Sequence, residues 1–276
     1  MNALLALAAS ALWGTSDFGG GLISRRIDAS AAVLISQALV LAGLLVLFPF
    51  MHLVTGLYLL VGATAGVVAT LSLAAFYRAM ATAPMSLVAP ITAAGSGIPV
   101  LVGIARGEHL SGFQIAGIVV TLIGIVLASG PEFRSGVAVR RQALWLAIGA
   151  AVGFGVAYTL LALAAGHGLY GTLLSQRIGG LIVLGPIVLR TGVLPGVRLS
   201  AKRLAALAAI GVTDIVANGS YALAASRGNL SIAAVLASLY PVVTALLART
   251  VLSERLRQVQ TVGVIAALAG VLLLSS

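Results

Sequence analysis

Residues 106–129 read RGEHLSGFQIAGIVVTLIGIVLAS, and residues 252–275 read LSERLRQVQTVGVIAALAGVLLLS. At a constant offset of 146 positions the matches between the two stretches include Glu108 and Glu254, Gln114 and Gln260, Gly117 and Gly263, Gly124 and Gly270, and Ser129 and Ser275. Each stretch passes from a charged turn into a long apolar run. Many secondary transporters consist of two such apolar halves with a substrate site between them. The repeat therefore predicts a membrane protein built from two related halves.

The composition of the whole chain is typical of a membrane protein. Of its 276 residues, 61% are hydrophobic and 8% are charged, and the mean hydropathy is +1.16. Soluble domains carry about 25% charged residues. A closed β-barrel would alternate apolar and polar residues, whereas the apolar runs here are continuous, so we expect membrane helices.

A helix needs about 20 apolar residues to cross a bilayer, and ten such segments can be placed along the chain. They lie at residues 3–24, 29–51, 55–80, 85–105, 112–130, 142–165, 169–190, 203–226, 230–250 and 258–275. Residues 1–130 form the first five-helix repeat, 131–141 a linker loop, and 142–276 the second repeat. An odd number of crossings in each half inverts the second half relative to the first. The predicted fold is therefore all-α and integral to the membrane, with ten transmembrane helices in two inverted five-helix repeats.

Weaker matches extend the repeat to other segments. At offset 139, Gln37 in segment 2 matches Gln176 in segment 7, and at offset 145, Phe76 in segment 3 matches Tyr221 in segment 8. Glutamines in apolar helices bond across helices, so the two glutamines either hold the bundle together or share equivalent places at a cavity.

The charge distribution argues against nucleic-acid binding and predicts an orientation. The net charge is +10, but the basic residues lie between apolar runs. Twelve of the sixteen Lys and Arg residues follow odd-numbered segments and two follow even-numbered ones. The positive-inside rule then places the odd loops in the cytoplasm and both termini outside.

The chain has no cysteine, which excludes disulfides and thiolate metal sites. The start, MNALLALAASALWG, has no basic region, so we expect a retained first helix.

Three features together resemble the EamA-like branch of the drug/metabolite transporter superfamily. They are the ten-segment pattern, the run Ala11-Leu12-Trp13-Gly14, and the Gly107-Glu108 and Ser253-Glu254 turns followed by Gln, Gly and Gly. The resemblance implies a carrier in the bacterial inner membrane, often an exporter of amino acids or other small metabolites. It also implies that segments 1–4 and 6–9 line a central cavity and that segments 5 and 10 are peripheral. Members of this family are commonly drawn with cytoplasmic termini, opposite to the charge count, so the orientation stays open.

Prolines mark candidate bends in segments 4 and 9. Pro241 in segment 9 aligns with Gly95, whereas segment 4 carries Pro90 and Pro99. Proline removes a backbone hydrogen bond and bends a helix. We therefore expect kinks at these prolines, at different depths in the two halves.

Four charged residues lie inside predicted segments: Asp17, Arg78, Arg177 and Asp214. A charge at mid-membrane costs about 2.5–3.5 kcal/mol on insertion scales and usually faces a cavity or a partner. None of the four has a charged counterpart in the other half. The charges are therefore asymmetric on a symmetric scaffold, as an asymmetric substrate would require and as drift would also produce.

Asp214 is the first candidate for substrate or proton binding. Asn218 and Tyr221 follow it on the same helical face. Its carboxylate would take a substrate amine or a coupling proton, or it would form a salt bridge to Arg177 that holds segments 7 and 8 together. Arg177, beside Gln176, would neutralise Asp214 or hold a substrate carboxylate.

Asp17 lies one helical turn after Trp13, near the end of segment 1, where it would face a cavity or pair with Arg25 or Arg26. Arg78 is close enough to its helix end to extend to the membrane surface. Glu108 and Glu254 are interpreted as turn residues at the positive ends of segments 5 and 10, and the glycines of those segments as packing residues.

Enzyme and nucleotide-binding motifs are absent from the sequence: it contains no HExxH, GxSxG or P-loop pattern. We expect a transporter rather than an enzyme, with no cofactor, working as a monomer or homodimer on a small-molecule substrate in the lipid bilayer. The predicted function is export of small polar, amino-acid-like metabolites by alternating access, with protons as the candidate driving ion. An uncoupled facilitator, an importer and an intramembrane enzyme for lipid-linked substrates are the alternatives. Aromatic residues make up only 5% of the chain, which favours a small polar site over an aromatic cage.

Overall fold

The protein's structure, a computed structural model, describes residues 1–24, 26–51, 53, 55–80, 88, 91–128, 141–194, 197, 199–251 and 258–274. The regular structure of these residues is helical. The α-helices are α1 (Asn2–Ser24), α2 (Ala29–Leu47), α3 (Tyr58–Met80), α4 (Gly97–Ala105), α5 (Gly112–Ala128), α6 (Arg141–Ala165), α7 (Leu169–Thr191), α8 (Ala201–Arg227), α9 (Leu230–Ala237), α10 (Tyr240–Val251) and α11 (Gln258–Leu274). Apart from segments 4 and 9, these bounds follow the predicted segments closely. The predicted linker lies outside the described residues except for Arg141, which begins α6.

Local sequence explains where several helices begin. The carboxylate of Asp28 accepts hydrogen bonds from two backbone N–H groups in the first turn of α2. The side chains of Ser111 and Gln114 each accept from the other's backbone N–H, which forms a capping box before α5. Ser200 accepts from the backbone N–H of Arg203 at the start of α8.

The outer surface of the bundle is apolar. Trp145, Ile182 and Leu272 are each more than 60% exposed. Within the described ranges, five helices are long and apolar enough to cross a membrane, and four further apolar helices are shorter. An apolar exterior on this scale fits contact with lipid, and the helices supply their own backbone hydrogen bonds there.

Segments 4 and 9 are each interrupted by a break. A 3₁₀ turn at Ala94–Ser96 precedes α4, and two residues separate the end of α9 at Ala237 from the start of α10 at Tyr240. At offset 145 these breaks fall at equivalent positions, so the expectation of bends at different depths is wrong. The physical reason is that Pro99 and Pro241 lie in the first turn of the helix that follows each break, where no backbone N–H is needed. Pro90 lies outside the described residues.

The helices α5 and α11 pack antiparallel along a seam of glycines, away from the centre of the bundle. A Cβ at Gly117 would meet Leu274, and one at Gly263 would meet Ala128; likewise Gly124 abuts Ala267, and Gly270 abuts Thr121. Each of these contacts has its counterpart at offset 146. The predicted packing role of the four glycines is confirmed, because the helix backbones touch where they lie.

The remaining helices surround a central space. The helix α3 packs along α6 and α7, and α1 packs along α8, α9 and α10. The helix α2 contacts α7 and α8 less extensively. This arrangement leaves room between α1, α2, α3, α7 and α8, and the polar residues of the chain gather there.

Candidate functional site

A cavity of about 140 Å³ lies at the centre of this arrangement. Its walls come from α1, α2, α3, α6, α7 and α8, with Tyr240 from the start of α10. The helices α4, α5 and α11 contribute no lining residue. It extends along α1 from Trp13 to Ile23, toward the connection between α1 and α2.

Seven of the eight predicted site residues line this cavity. They are Trp13, Asp17, Gln37, Gln176, Arg177, Asp214 and Asn218. The eighth, Tyr221, is fully buried and lines a second cavity of about 20 Å³ beside the first. Side chains from four separate helices, two in each predicted half, therefore meet in one place.

Arg177 and Asp214 form an ion pair between α7 and α8, through Nη2 and Oδ2. The side chain of Arg177 is 6% exposed, and that of Asp214 is 32% exposed. The predicted salt bridge between segments 7 and 8 is thus present. The guanidinium is consequently committed to a protein carboxylate, although its Nε has no hydrogen-bond partner among the described residues.

Two amide side chains extend this network. Asn218 donates from Nδ2 to the backbone oxygen of Asp214 at 2.7 Å, and Gln176 donates from Nε2 to Asn218 Oδ1 at 3.4 Å. The other amide atom of Gln176, Oε1, is buried and has no partner within the described part of the chain. Because buried polar atoms normally have partners, this oxygen and the Arg177 Nε are available to water or to a ligand.

Asp17 faces the same cavity from α1. Within the described residues it makes neither an ion pair nor a hydrogen bond, and the predicted alternative of a pair with Arg26 is not formed. Arg25 lies outside the described residues. Arg78 is in the last turn of α3 and does not line the cavity. Among the described residues, Asp17 is therefore the one carboxylate at the cavity without a positively charged partner.

Aromatic rings form one wall of the cavity. Tyr158 stacks on Trp13 with ring centroids 4.9 Å apart and on Phe154 at 5.9 Å. Tyr221 packs behind them, 5.5 Å from Tyr158, and its hydroxyl is buried without a partner in the described structure. Phe76 and Tyr240 complete the wall. The low aromatic content of the chain favoured a site without such a cage, but these rings are concentrated at the cavity.

Sequence reasoning missed several lining residues, notably Phe154, Tyr158 and Tyr240. The first two are four residues apart and so lie on one face of α6, a signal that could have been used. Tyr240 had no signal beyond its position before Pro241. Ser16, Ser36 and Thr70 also line the cavity, but hydroxyl residues are too common in these segments to be distinctive.

Two helix pairs that are equivalent in the predicted repeat differ in how closely they pack. Between α3 and α7, a Cβ at Gly66 would overlap the carbonyl oxygen of Gln176, and one at Gly179 would overlap that of Ala63. Between α2 and α8, Gly211 alone approaches a backbone oxygen, that of Ser36. The cavity is therefore closed off on the α3–α7 side and bounded more loosely by α2 and α8.

Glu108 acts away from the cavity and on a different helix from the one predicted. Its Oε1 accepts from the backbone N–H of Leu230 at 2.5 Å, and its Oε2 accepts from that of Ser231 at 3.1 Å. The carboxylate does favour a positive helix end, but that end belongs to α9 and not to α5. Glu254 lies outside the described residues. Glu108 therefore ties the end of segment 4 to the start of segment 9.

No group of three or more His, Asp or Glu side chains in the described ranges is arranged to hold a metal ion. The polar groups at the cavity include one ion pair, one further carboxylate and three amides, together with the hydroxyl groups already named. This set can exchange protons at its carboxylates and can bind a small polar or charged molecule.

Comparison with known proteins gives three results. Residues 141–276 match the family model described as the EamA-like transporter family. No curated protein matches this chain. A crystal structure of a protein with 16% sequence identity superposes with a TM-score of 0.83 over 99% of this chain and 98% of the other, so the two share a fold.

Proposed function

The chain belongs to the EamA-like transporter family, by the match of residues 141–276, and we propose that it is a secondary transporter that exports small polar, amino-acid-like metabolites under a proton gradient. It is a multi-pass membrane protein of the drug/metabolite transporter type. The observation that carries the proposal is the central cavity, where Asp17, Arg177 and Asp214 lie within an otherwise apolar bundle. Charged side chains inside a membrane bundle typically mark a substrate or ion pathway.

The size of the cavity supports a small substrate. An apolar cavity of about 150 Å³ holds one benzene molecule, and this cavity measures about 140 Å³. A metabolite with a single ring or a short side chain is of that size. The amides of Gln37, Gln176 and Asn218 would orient such a molecule.

The mechanism that we propose is alternating access between inverted repeats. In this scheme all ten segments cross the membrane, and the matched contacts at offset 146 between α5 and α11 support the inversion. The closed α3–α7 pair and the looser α2–α8 pair correspond to one of the two states. Exchange of these roles would open the cavity to the opposite face.

The extent of the cavity supports export as the direction of transport. It reaches Ile23 and Ala32, beside the α1–α2 connection, which follows an odd-numbered segment. In the orientation that the charge count predicts, that side faces the cytoplasm of a bacterial cell, with the protein in its inner membrane. A cavity open to the cytoplasm is the state in which an exporter loads its substrate.

The test is counterflow in proteoliposomes against amino acids, nucleosides, sugars and organic cations, with and without an inward proton gradient. We expect saturable flux of one class, increased by the gradient and lost in Asp214→Asn. Asp28→Asn is the matched control, because it removes a carboxylate from the N-cap of α2 and asparagine still caps a helix.

A flux that ignores the gradient and survives Asp214→Asn would make the protein an uncoupled facilitator. It would also reduce Asp214 to a structural partner of Arg177. Flux that runs only inward would identify an importer.

A further inference from the structure

We propose that the cavity selects small organic ammonium ions and that Asp17 receives their positive charge. This inference rests on the proposed function and narrows its substrate class, from amino-acid-like metabolites in general to amines that carry no carboxylate. It goes beyond the family assignment, which leaves the substrate open between neutral, zwitterionic and charged metabolites.

The charges around the cavity favour a positively charged substrate. Among its lining residues, two carboxylates face a single guanidinium. Arg177 is already paired with Asp214, so Asp17 has no counter-charge among the described residues. A substrate carboxylate would meet the repulsion of Asp17 and no uncommitted cation. A substrate ammonium would supply the missing charge, and buried charges are normally paired.

The aromatic wall of the cavity also favours an organic cation. Trp13 precedes Asp17 by one helical turn, so both project from the same face of α1. Tyr158 stacks on Trp13 at 4.9 Å, and Tyr240 lines the same space. Ring faces attract organic cations electrostatically, most strongly where water is excluded. A carboxylate beside aromatic faces is therefore complementary to a cation that also carries an apolar group.

The natural tryptophans allow binding to be measured directly. The chain has two of them: Trp13 lines the cavity and is 6% exposed, whereas Trp145 is 63% exposed on α6. In a Trp145→Phe background, Trp13 is the sole tryptophan. Its fluorescence then reports on occupancy of the cavity without requiring transport.

The experiment titrates this protein with three probes of similar size: phenethylammonium, neutral 2-phenylethanol and zwitterionic phenylalanine. We expect saturable quenching with phenethylammonium at roughly tenfold lower concentration than with either of the others, a factor equivalent to about 1.4 kcal/mol. Asp17→Asn should reduce this preference to about twofold or less. Asp17→Glu should retain it, and so should the control Asp28→Asn.

Equal or tighter binding of 2-phenylethanol or phenylalanine would overturn the proposal, and so would a preference that survives Asp17→Asn. The comparison of the three probes on the parent protein decides the question even if the Asp17 variants do not fold. Absence of quenching by all three, together with counterflow of another substrate class, would overturn the ammonium proposal and leave the transporter proposal intact. Absence of both binding and flux in monodisperse protein would overturn both.

Discussion

The α3–α7 and α2–α8 pairs are equivalent in the predicted repeat, yet the first pair is packed closely and the second loosely. The sequence contains the reason. On the α3–α7 side, Gly62 and Gly179 allow the backbones to touch. Their counterparts at offsets 145 and 139 are Leu207 and Val40, both buried side chains that keep α2 and α8 apart. Related halves can thus hold two different distances at the same time, because a few glycines in one half are replaced by aliphatic residues in the other.

The largest expected contrast is in accessibility, and the absence of cysteine from the chain makes it easy to measure. Val33 on α2 lines the cavity, whereas its counterpart Thr172 on α7 is fully buried. We expect a water-soluble maleimide to label Val33→Cys at least about tenfold faster than Thr172→Cys, since a local opening that costs about 1.4 kcal/mol gives that factor. Equal labelling rates would show that the two pairs are equally open in the membrane.

The next largest expected effect is on stability. It concerns the Arg177–Asp214 ion pair, which joins α7 of the closely packed α3–α7 pair to α8 of the loosely packed α2–α8 pair. Arg177→Gln leaves Asp214 without its guanidinium, and removing one partner of a buried pair costs about 3–5 kcal/mol. We expect somewhat less here, about 2–3 kcal/mol, because Asp214 is 32% exposed. Thermal unfolding followed by circular dichroism in detergent measures the change.

The control for this variant is Arg190→Gln, at an exposed position on the same helix. The double variant Arg177→Gln/Asp214→Asn should recover part of the lost stability, because neither position of the pair then holds a charge without its partner. If the double variant is as unstable as the sum of the two single variants, the two residues do not act as a pair.

A smaller effect on stability is expected when a glycine of the closely packed α3–α7 pair is replaced by the aliphatic residue found at the matching position of the α2–α8 pair. Gly179→Val places on α7 the side chain that α2 has at Val40, where it would overlap the Ala63 carbonyl. Overpacking of this kind costs about 1–3 kcal/mol, and it should raise labelling of Thr172→Cys. On the same helix, Gly185→Val is the control, since a Cβ there meets nothing within 4 Å. An unchanged melting temperature and labelling rate for Gly179→Val would mean that glycine packing does not close this side.

The smallest effect is expected at Glu108, on the side of the bundle where α7 and α9 begin. Glu108→Gln keeps the shape but replaces one of the two acceptor oxygens with an NH2 donor, so at most one of the two hydrogen bonds from the start of α9 remains, with an expected loss of about 1 kcal/mol. Glutamine should lower the melting temperature by a few degrees and leave labelling of Val33→Cys unchanged. A faster rate at Val33→Cys would connect this contact to the loose pair.

Much of the fold could be predicted from the sequence because a membrane helix is a continuous apolar run, and its bounds follow from local composition. The Arg177–Asp214 pair was also accessible, because segments 7 and 8 are neighbours in the chain and carry the opposite charges. The predicted site residues are polar groups within apolar segments. Such groups are stabilised by contact with one another, so they lie together at one cavity.

Features that depend on contacts between distant helices could not be predicted in this way. Glu108 binds a helix that begins 122 positions later, and nothing in the periodicity of either segment identifies the partner. Tyr158 reaches the cavity because α6 packs against α3 and brings its aromatic face next to Trp13. The aromatic wall could not be predicted from the average composition, because an aromatic content of 5% does not say whether the rings are spread along the chain or concentrated at one place.

The seam between α5 and α11 has the geometry of an isologous dimer interface, in which each contact occurs twice. In those terms the two halves of the chain are subunits, and the stretch between Ala128 and Arg141 is a tether that turns their association into an intramolecular step. A chain cut within that stretch would then be a heterodimer. Its two fragments, produced together, would reassemble with an affinity set by the seam and by the contacts around the cavity.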